Sequence, residues 1–164
     1  MKQIPLSRGM LAIVSEEDYP RLAKFNWYAR KNGRRWYACR QVRQDGKIRQ
    51  LTMHGCLMKP ENGDVVDHVN HNGLDNRREN LRTCKRSQNG WNMQKRSALT
   101  SSKYKGVSWR RADSRWVAQI SANGKNRLVG KFETEEAAAE AYDHAARLLF
   151  GKFASLNNPG PVNT

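Results

Sequence analysis

Asp67 and His68 stand side by side in the chain, and Asn80, Arg82 and Asn89 follow within one short segment. Together these residue types hold what hydrolysis of a phosphodiester requires. A divalent cation must polarise the phosphate and steady the departing oxygen. A hard cation such as Mg²⁺ takes oxygen ligands and keeps several waters, so one or two side chains suffice to hold it. The Asp67 carboxylate and the Asn89 amide carbonyl are oxygens of that kind. A neutral imidazole, with an ordinary pKa of about 6.5, is a suitable general base near neutral pH, which makes His68 the candidate base. Neighbours in a strand alternate faces, so His68 cannot share the Asp67 side of a flat strand; a bent hairpin would turn it toward a water beside the phosphate. Arg82 is a candidate to neutralise phosphate charge. Asn80 is better suited to fasten a loop, because one amide bridges two backbone groups. Asp, Asn and His also populate ordinary turns, so the order and spacing of the set matter more than any single member. His71 reads as a loop support or phosphate contact, His54 as structural, and His144 as a surface or packing residue.

The charge around this set points to a polyanion. The 164 residues carry 30 Lys and Arg against 15 Asp and Glu, a net charge of +15. An excess of this size implies DNA, RNA or an anionic surface as partner. Residues 1–60 hold 13 basic and 4 acidic side chains, residues 61–100 hold 7 and 5, and residues 101–164 hold 10 and 6. A basic surround about a near-neutral, ligand-rich centre suits a nuclease; a generic basic surface fits the same counts. Hydrophobic residues make up 38% and there are five Trp, enough for packed cores. Three cysteines without a CxxC pair argue against a disulfide framework and against structural zinc. No apolar run approaches the roughly 20 residues needed to cross a bilayer, and the first 20 residues lack a secretory pattern, so a cytoplasmic protein is expected.

The elements that must position the set can be read coarsely. Leu11–Val14 is a short apolar run, and Ser15 before Glu16, Glu17 and Asp18 has the form of a helix N-cap. Segments 36–42 and 47–53 flank Asp45-Gly46, a strong hairpin signal. Residues 51–58 read as a strand, and Pro60 and Gly63 break the chain. Residues 64–69 read as a strand, 70–76 as a turn and 81–84 as a returning strand, with Ser87 capping a short helix through Asn92. Residues 94–103 are polar and small, as in a linker. Segments 104–110, 115–121 and 127–132 read as three strands. Thr134 caps a helix that runs to about Phe150 and stops at Gly151, with Ala138, Ala141, Ala145 and Leu149 on one face.

Val66-Asp-His-Val-Asn-His71, Asp75-Asn-Arg-Arg-Glu-Asn-Leu-Arg82 and Ser87-Gln-Asn-Gly-Trp-Asn92 resemble the HNH endonucleases, especially the phage and intron-borne homing type. The resemblance implies a ββα-metal hairpin and helix, with Asp67 as metal ligand, His68 as general base, Asn80 as the loop-bracing asparagine and Asn89 as second ligand. Many members end the motif in His; Asn here favours Mg²⁺ or Mn²⁺ over zinc. Residues 51–58 resemble the segment that precedes the motif in the same group.

Residues 103–158 resemble the APETALA-type DNA-binding domain of plant ethylene-response factors. Tyr104-Lys-Gly-Val-Ser-Trp109, Arg115-Trp-Val-Ala-Gln-Ile120, Val129-Gly-Lys-Phe132 with the helix after it, and Leu156-Asn157 carry the likeness in order. That family lays a three-stranded sheet in the major groove, which is wide enough for a β-structure and displays distinguishable base edges. By position, Ser108, Arg110, Gln119 and Ser121 fall at DNA contacts. Trp109 and Arg111 are alternatives if the strand register differs, and Lys125 and Arg127 are candidate phosphate contacts. Trp116 is expected in the core. Several positions that carry Arg or Trp in the plant proteins are Ser, Asn or Leu here, so the plant target sequence does not transfer.

The expected fold is therefore α+β: a basic β-rich segment (1–60), a ββα-metal module (61–93), a linker (94–103), a three-stranded antiparallel sheet on one helix (104–158) and a tail (159–164). The expected function is a homing-type endonuclease that first nicks double-stranded DNA. It would use Mg²⁺ or Mn²⁺ and no organic cofactor, act as monomer or homodimer, and work away from any membrane. A non-catalytic DNA-binding regulator and an RNA-binding protein are the alternatives, and metal-dependent cleavage separates them from the nuclease.

Overall fold

The computed structural model describes residues 1–61, 63–95 and 101–158. The chain divides into two compact units, Met1–Arg86 and Ser87–Thr164. Residues 96–100 of the expected linker and the expected tail, 159–164, lie outside the described residues.

The first unit is built from short strands and shorter helices. Strands β1 (Lys2–Pro5) and β2 (Leu11–Val14) pair antiparallel, and α1 (Tyr19–Leu22) follows. Strands β3 (Tyr28–Asn32), β4 (Arg35–Gln44) and β5 (Lys47–Thr52) form an antiparallel meander. Asp45 and Gly46 both have positive φ, at 51° and 70°, as the tight turn of a twisted hairpin demands. Helix α2 (Met53–Met58) comes next, then β6 (Asp64–His68). The two-residue β7 (Asp75–Asn76) joins β2 in parallel, and β8 (Leu81–Lys85) returns antiparallel to β6. One core serves all of these, with Val14, Leu22, Trp27, Met53 and Leu81 at its centre.

Two local expectations are corrected here. Residues 53–58 are helix α2 and not the end of a strand. Met53 and Leu57, four apart, both reach the core, and the Thr52 hydroxyl accepts the Gly55 N–H as a cap. Ser15 does not cap the turn after it; its hydroxyl accepts the N–H of Arg78 at 3.0 Å.

In the second unit α3 (Arg86–Trp91) starts directly after β8, so Ser87 sits inside its first turn and is not its cap. Strands β9 (Val107–Arg110), β10 (Arg115–Ala122) and β11 (Lys125–Phe132) form an antiparallel sheet with β10 central, and α4 (Glu135–Phe150) packs on it. The Thr134 hydroxyl accepts the Ala137 N–H and caps α4. The buried face of α4 is Ala138, Ala139, Tyr142, Ala146 and Phe150, rotated from the expected stripe: Leu149 is exposed. Tyr142 and Phe150 are the largest apolar groups on the helix and set its orientation, while the alanines let it lie close to the sheet. Trp91 stacks on Phe150 with ring centroids 4.7 Å apart. Trp116 is half-buried against the same core.

Gly106 is a fixed point of this unit. Its φ is +75°, and a Cβ there would lie 2.1 Å from the Tyr142 ring. Gly106→Ala combines an unfavourable backbone conformation with overpacking, each costing about 1 to 3 kcal/mol. A fall of about 3 kcal/mol in the stability of the second unit is expected, read from its urea midpoint.

Candidate active site

The register of one strand pair places the central residues. In β6 and β8, Asp67 lies opposite Arg82 and His68 opposite Leu81. Directly opposed residues share a face. Leu81 belongs to the core, so His68 faces inward, and Asp67 and Arg82 share the other face. Arg82 donates from Nε and Nη2 to Asp67 Oδ2, at 2.9 and 2.7 Å. The Asp67 side chain is 1% exposed and that of Arg82 14%. The candidate phosphate-neutralising arginine is thus paired with the candidate metal ligand. His68 is the last residue of β6, where the chain leaves the strand for the loop.

His68 is enclosed by rings. The Tyr37 ring centroid lies 5.9 Å from it and the His54 centroid 5.0 Å, the latter edge-on at 87°. Tyr37 and His54 also meet each other, at 5.7 Å. Burial pushes the His68 pKa below its ordinary value; the nearby Asn76 amide, Asp67 and Asp75 oppose the shift, and Arg35 adds to it. Burial, aided by the neighbouring His68, pushes His54 down to about 4. Both imidazoles are therefore neutral at pH 7, the form a general base needs. Gly73 supports this cluster from outside: a Cβ there would lie 2.4 Å from the Trp36 carbonyl oxygen and 2.7 Å from the Tyr37 ring.

The loop from 69 to 80 is held by two buried side chains. Asn80 Oδ1 accepts the Asn70 N–H at 2.9 Å, and its Nδ2 donates to the Asp75 carbonyl at 2.7 Å. The backbone carbonyl of Asn80 accepts the Val69 N–H. Asp75 takes Arg77 on both carboxylate oxygens and Asn70 Nδ2 on one, which holds its pKa below the usual range. His71, at φ 64°, lies with Nδ1 3.4 Å from Arg35 Nη2. Asn80→Ala strands two backbone groups at once. A loss of about 2 to 4 kcal/mol is expected, measured by chemical denaturation.

Asn89 lies on α3, half-buried, within the second unit. Among the described residues there is no cluster of three or more His, Cys, Asp or Glu side chains suited to a metal. Asp67 and Asn89 offer hard oxygens only. Oxygen donors of this kind suit a divalent cation that needs few protein ligands. Cys39, Cys56 and Cys84 form no disulfide among the described residues.

The second unit presents a separate polar surface. Register puts Ser108, Arg110, Gln119 and Ser121 on the sheet face turned away from α4. All four are exposed, and Val117 is buried among them outside the helix-facing core. Arg110 is partly compensated by Asp113, 3.5 Å away. Trp109, Lys125 and Arg127 stand opposite Trp116, Ala122 and Ile120, hence on the α4 side of the sheet, although exposed at its rim. Arg111 is in the turn before β10. Of the eight expected contacts, then, four share one face.

Tyr37, Asn76 and His54 are the neighbours of His68 that residue-by-residue reading missed. His54 carries the one usable signal: it sits between Met53 and Leu57, whose helical spacing turns α2 toward the core.

Two antiparallel strands leading directly into a helix, with Asp-His closing the first strand, define a ββα nuclease framework. Residues 59–91 match the family model for HNH endonucleases, and residues 102–152 match that for the AP2 domain. An uncharacterized HNH endonuclease of Acanthamoeba polyphaga mimivirus is 33% identical over 151 residues, 92% of this chain and 76% of the relative. Protein 3.8 of Escherichia phage T7 is 33% identical over 92 residues, 56% of this chain and 74% of that protein. An ethylene-responsive transcription factor of Arabidopsis thaliana is 44% identical over 63 residues, 37% of this chain and 34% of the factor. The chain belongs to the HNH endonuclease family, and it carries an AP2 domain behind the nuclease motif.

Proposed function

We propose that this protein is a homing-type endonuclease that nicks double-stranded DNA at a chosen site. The observation that supports the chemistry is the Asp67–His68 pair at the end of β6, with the carboxylate fixed by Arg82 and the imidazole held neutral by burial. His68 takes the proton of the attacking water. Asp67 and Asn89 would hold a divalent cation, which when bound polarises the scissile phosphate. Arg82 orients the Asp67 carboxylate and leaves part of its charge for the phosphate. Asn80 acts at a distance, by fixing the loop on which His68 ends.

The AP2 domain supports the DNA-binding half of the proposal. Ser108, Arg110, Gln119 and Ser121 read the duplex from one sheet face, while Lys125 and Arg127 take phosphates at the rim. Arg111 follows that face in the turn before β10, and Trp109 stands on the opposite, α4 side of the sheet. In this arrangement residues 61–93 form the catalytic module, 104–158 the targeting module and 94–103 the link, with 1–60 extending the grip. One site per chain cuts one strand; a double-strand break needs a dimer or a second event. The described residues contain no helix long and apolar enough to cross a membrane. The host cytoplasm is the proposed place of action.

Supercoiled plasmid carrying candidate sites tests the proposal. Conversion to open circle with Mg²⁺ or Mn²⁺, abolished by EDTA, is expected. Retained binding without cleavage under any divalent cation would turn the assignment to a DNA-binding regulator. Loss of duplex binding with retained RNA binding would remove DNA as the substrate.

A further inference from the structure

The first unit contains a cavity of about 580 Å³ bordered by Gly55 and Cys56 of α2, a size typical of small-ligand sites. Its walls include Leu22, Phe25 and Trp27, with the cations Arg21, Arg40 and Lys59, and no Asp or Glu lines it. The Arg40 guanidinium lies 3.8 Å over the Phe25 ring and 5.6 Å from that of Trp27. Its Nε is buried with no hydrogen-bond partner among the described residues, so the aromatic ring is what holds it. The Trp27 indole is pinned by donation to the Leu22 carbonyl at 2.8 Å. Phe25 nonetheless stays 40% exposed at the mouth.

This combination selects its ligand. A cation is repelled by three positive charges, and Arg40 already occupies the aromatic faces that would hold one. A plain apolar group gains nothing from the cations. A flat aromatic anion uses both parts, its π-face against the Arg40 guanidinium and its negative charge against Lys59 and Arg21, the latter shared with Asp18 at 3.2 Å. We propose that this cavity receives one unstacked nucleotide of the bound DNA strand.

Its place in the fold serves that role. His54 of α2 packs on His68, and the next two residues, Gly55 and Cys56, line the cavity. The same short helix thus borders the cavity and carries the imidazole that packs on the candidate base. A strand held in the cavity lies against the helix whose His54 packs on His68. In a duplex the base must leave its stack, which is least costly at a mismatch, a nick or a single-stranded end. The inference rests on the reading that this chain works on DNA, and not on its cleaving it.

The test uses the full chain in EDTA with a single-stranded oligothymidylate of about 12 nucleotides, one thymine replaced by 5-iodouracil. On irradiation that base couples to an aromatic side chain in contact with it. Adducts on Phe25 or Trp27, located by mass spectrometry, are expected. Phe25→Ala, at a half-open position that leaves the core intact, should bind the same oligonucleotide about tenfold more weakly. Lys59→Ala should lower the salt slope of binding by about one phosphate contact. Adducts confined to residues 104–127, with Phe25→Ala affinity unchanged, would overturn the inference. So would equal affinity for a strand of abasic sites, or displacement by free thymidine monophosphate at oligonucleotide-like concentrations. Adducts at Phe25 in a protein that cuts no plasmid with Mg²⁺ would uphold the cavity while removing the nuclease assignment.

Discussion

Replacing His68 by alanine should lower the nicking rate by about 10²- to 10⁴-fold and leave duplex affinity within twofold, the range lost with a positioned general base. The affinity stays because His68 is buried and faces inward beside Leu81 in the first unit, while the duplex is proposed to be held by the AP2 sheet. His68→Gln controls for the space left in the core. The wild-type pH profile is the second readout. The His68 pKa is lowered by burial, so the neutral imidazole is already complete at pH 7. Nicking should therefore hold as pH falls past about 6.5, the ordinary value, and decline only below it. A profile that breaks at or above 6.5, or a His68→Ala protein as fast as wild type, would assign the base elsewhere.

His54 should make the first unit acid-sensitive in a defined window. Its folded pKa is about 4, set by burial first and by His68 second, against about 6.5 in an unfolded chain. Between those values the unfolded chain takes a proton that the folded one refuses. Stability is thus full above about 6.5 and is lost as pH falls toward 4. One pKa unit is 1.36 kcal/mol, so the loss amounts to about 3 kcal/mol. Asp18 and Asp75 do not blur the window. Asp18 and Asp75 have lowered pKa values through Arg78 and Arg77, so their contributions are lost only at lower pH. His54→Phe keeps a ring against Tyr37 and His68 and carries no proton. Urea titrations at pH 7 and pH 4.5 should differ by some 2 to 3 kcal/mol less in this variant than in wild type. An unchanged difference would mean that His54 is already solvated.

The second unit was the more legible half of the chain. Thr134, Gly151 and the three strand segments are local signals, and each marks its own element without help from elsewhere. The phase of α4 was not local. Alanines at helical spacing describe several stripes, and the choice among them fell to Tyr142 and Phe150, whose rings need the core. In the first unit the hairpin at Asp45-Gly46 was plain for the same local reason. Residues 53–58 were not, because a six-residue apolar run suits strand and helix alike; the Thr52 cap and the burial of Met53 with Leu57 decide it. For the candidate site, the order of Asp67, His68, Asn80 and Asn89 was readable. The company His68 keeps was not: Tyr37 comes from β4 and His54 from α2, and only folding brings their rings together. Likewise Arg82 was visible as a charge, but its attachment to Asp67 depends on which residue faces it across the ladder.

That attachment has a consequence for how the ribbon zips up. Slide β8 by a single residue and Asp67 would confront Leu81 or Thr83, the guanidinium would go to the wrong side, and every inward group would turn out. At the other end of this five-residue ribbon the exposed Lys85–Asp64 pair repeats the constraint in the same register. The Asp67–Arg82 pair therefore works as a key cut for one lock position. The same bond that aims the carboxylate also certifies that the imidazole next to it points inward, so a misaligned ribbon cannot present half of a working site.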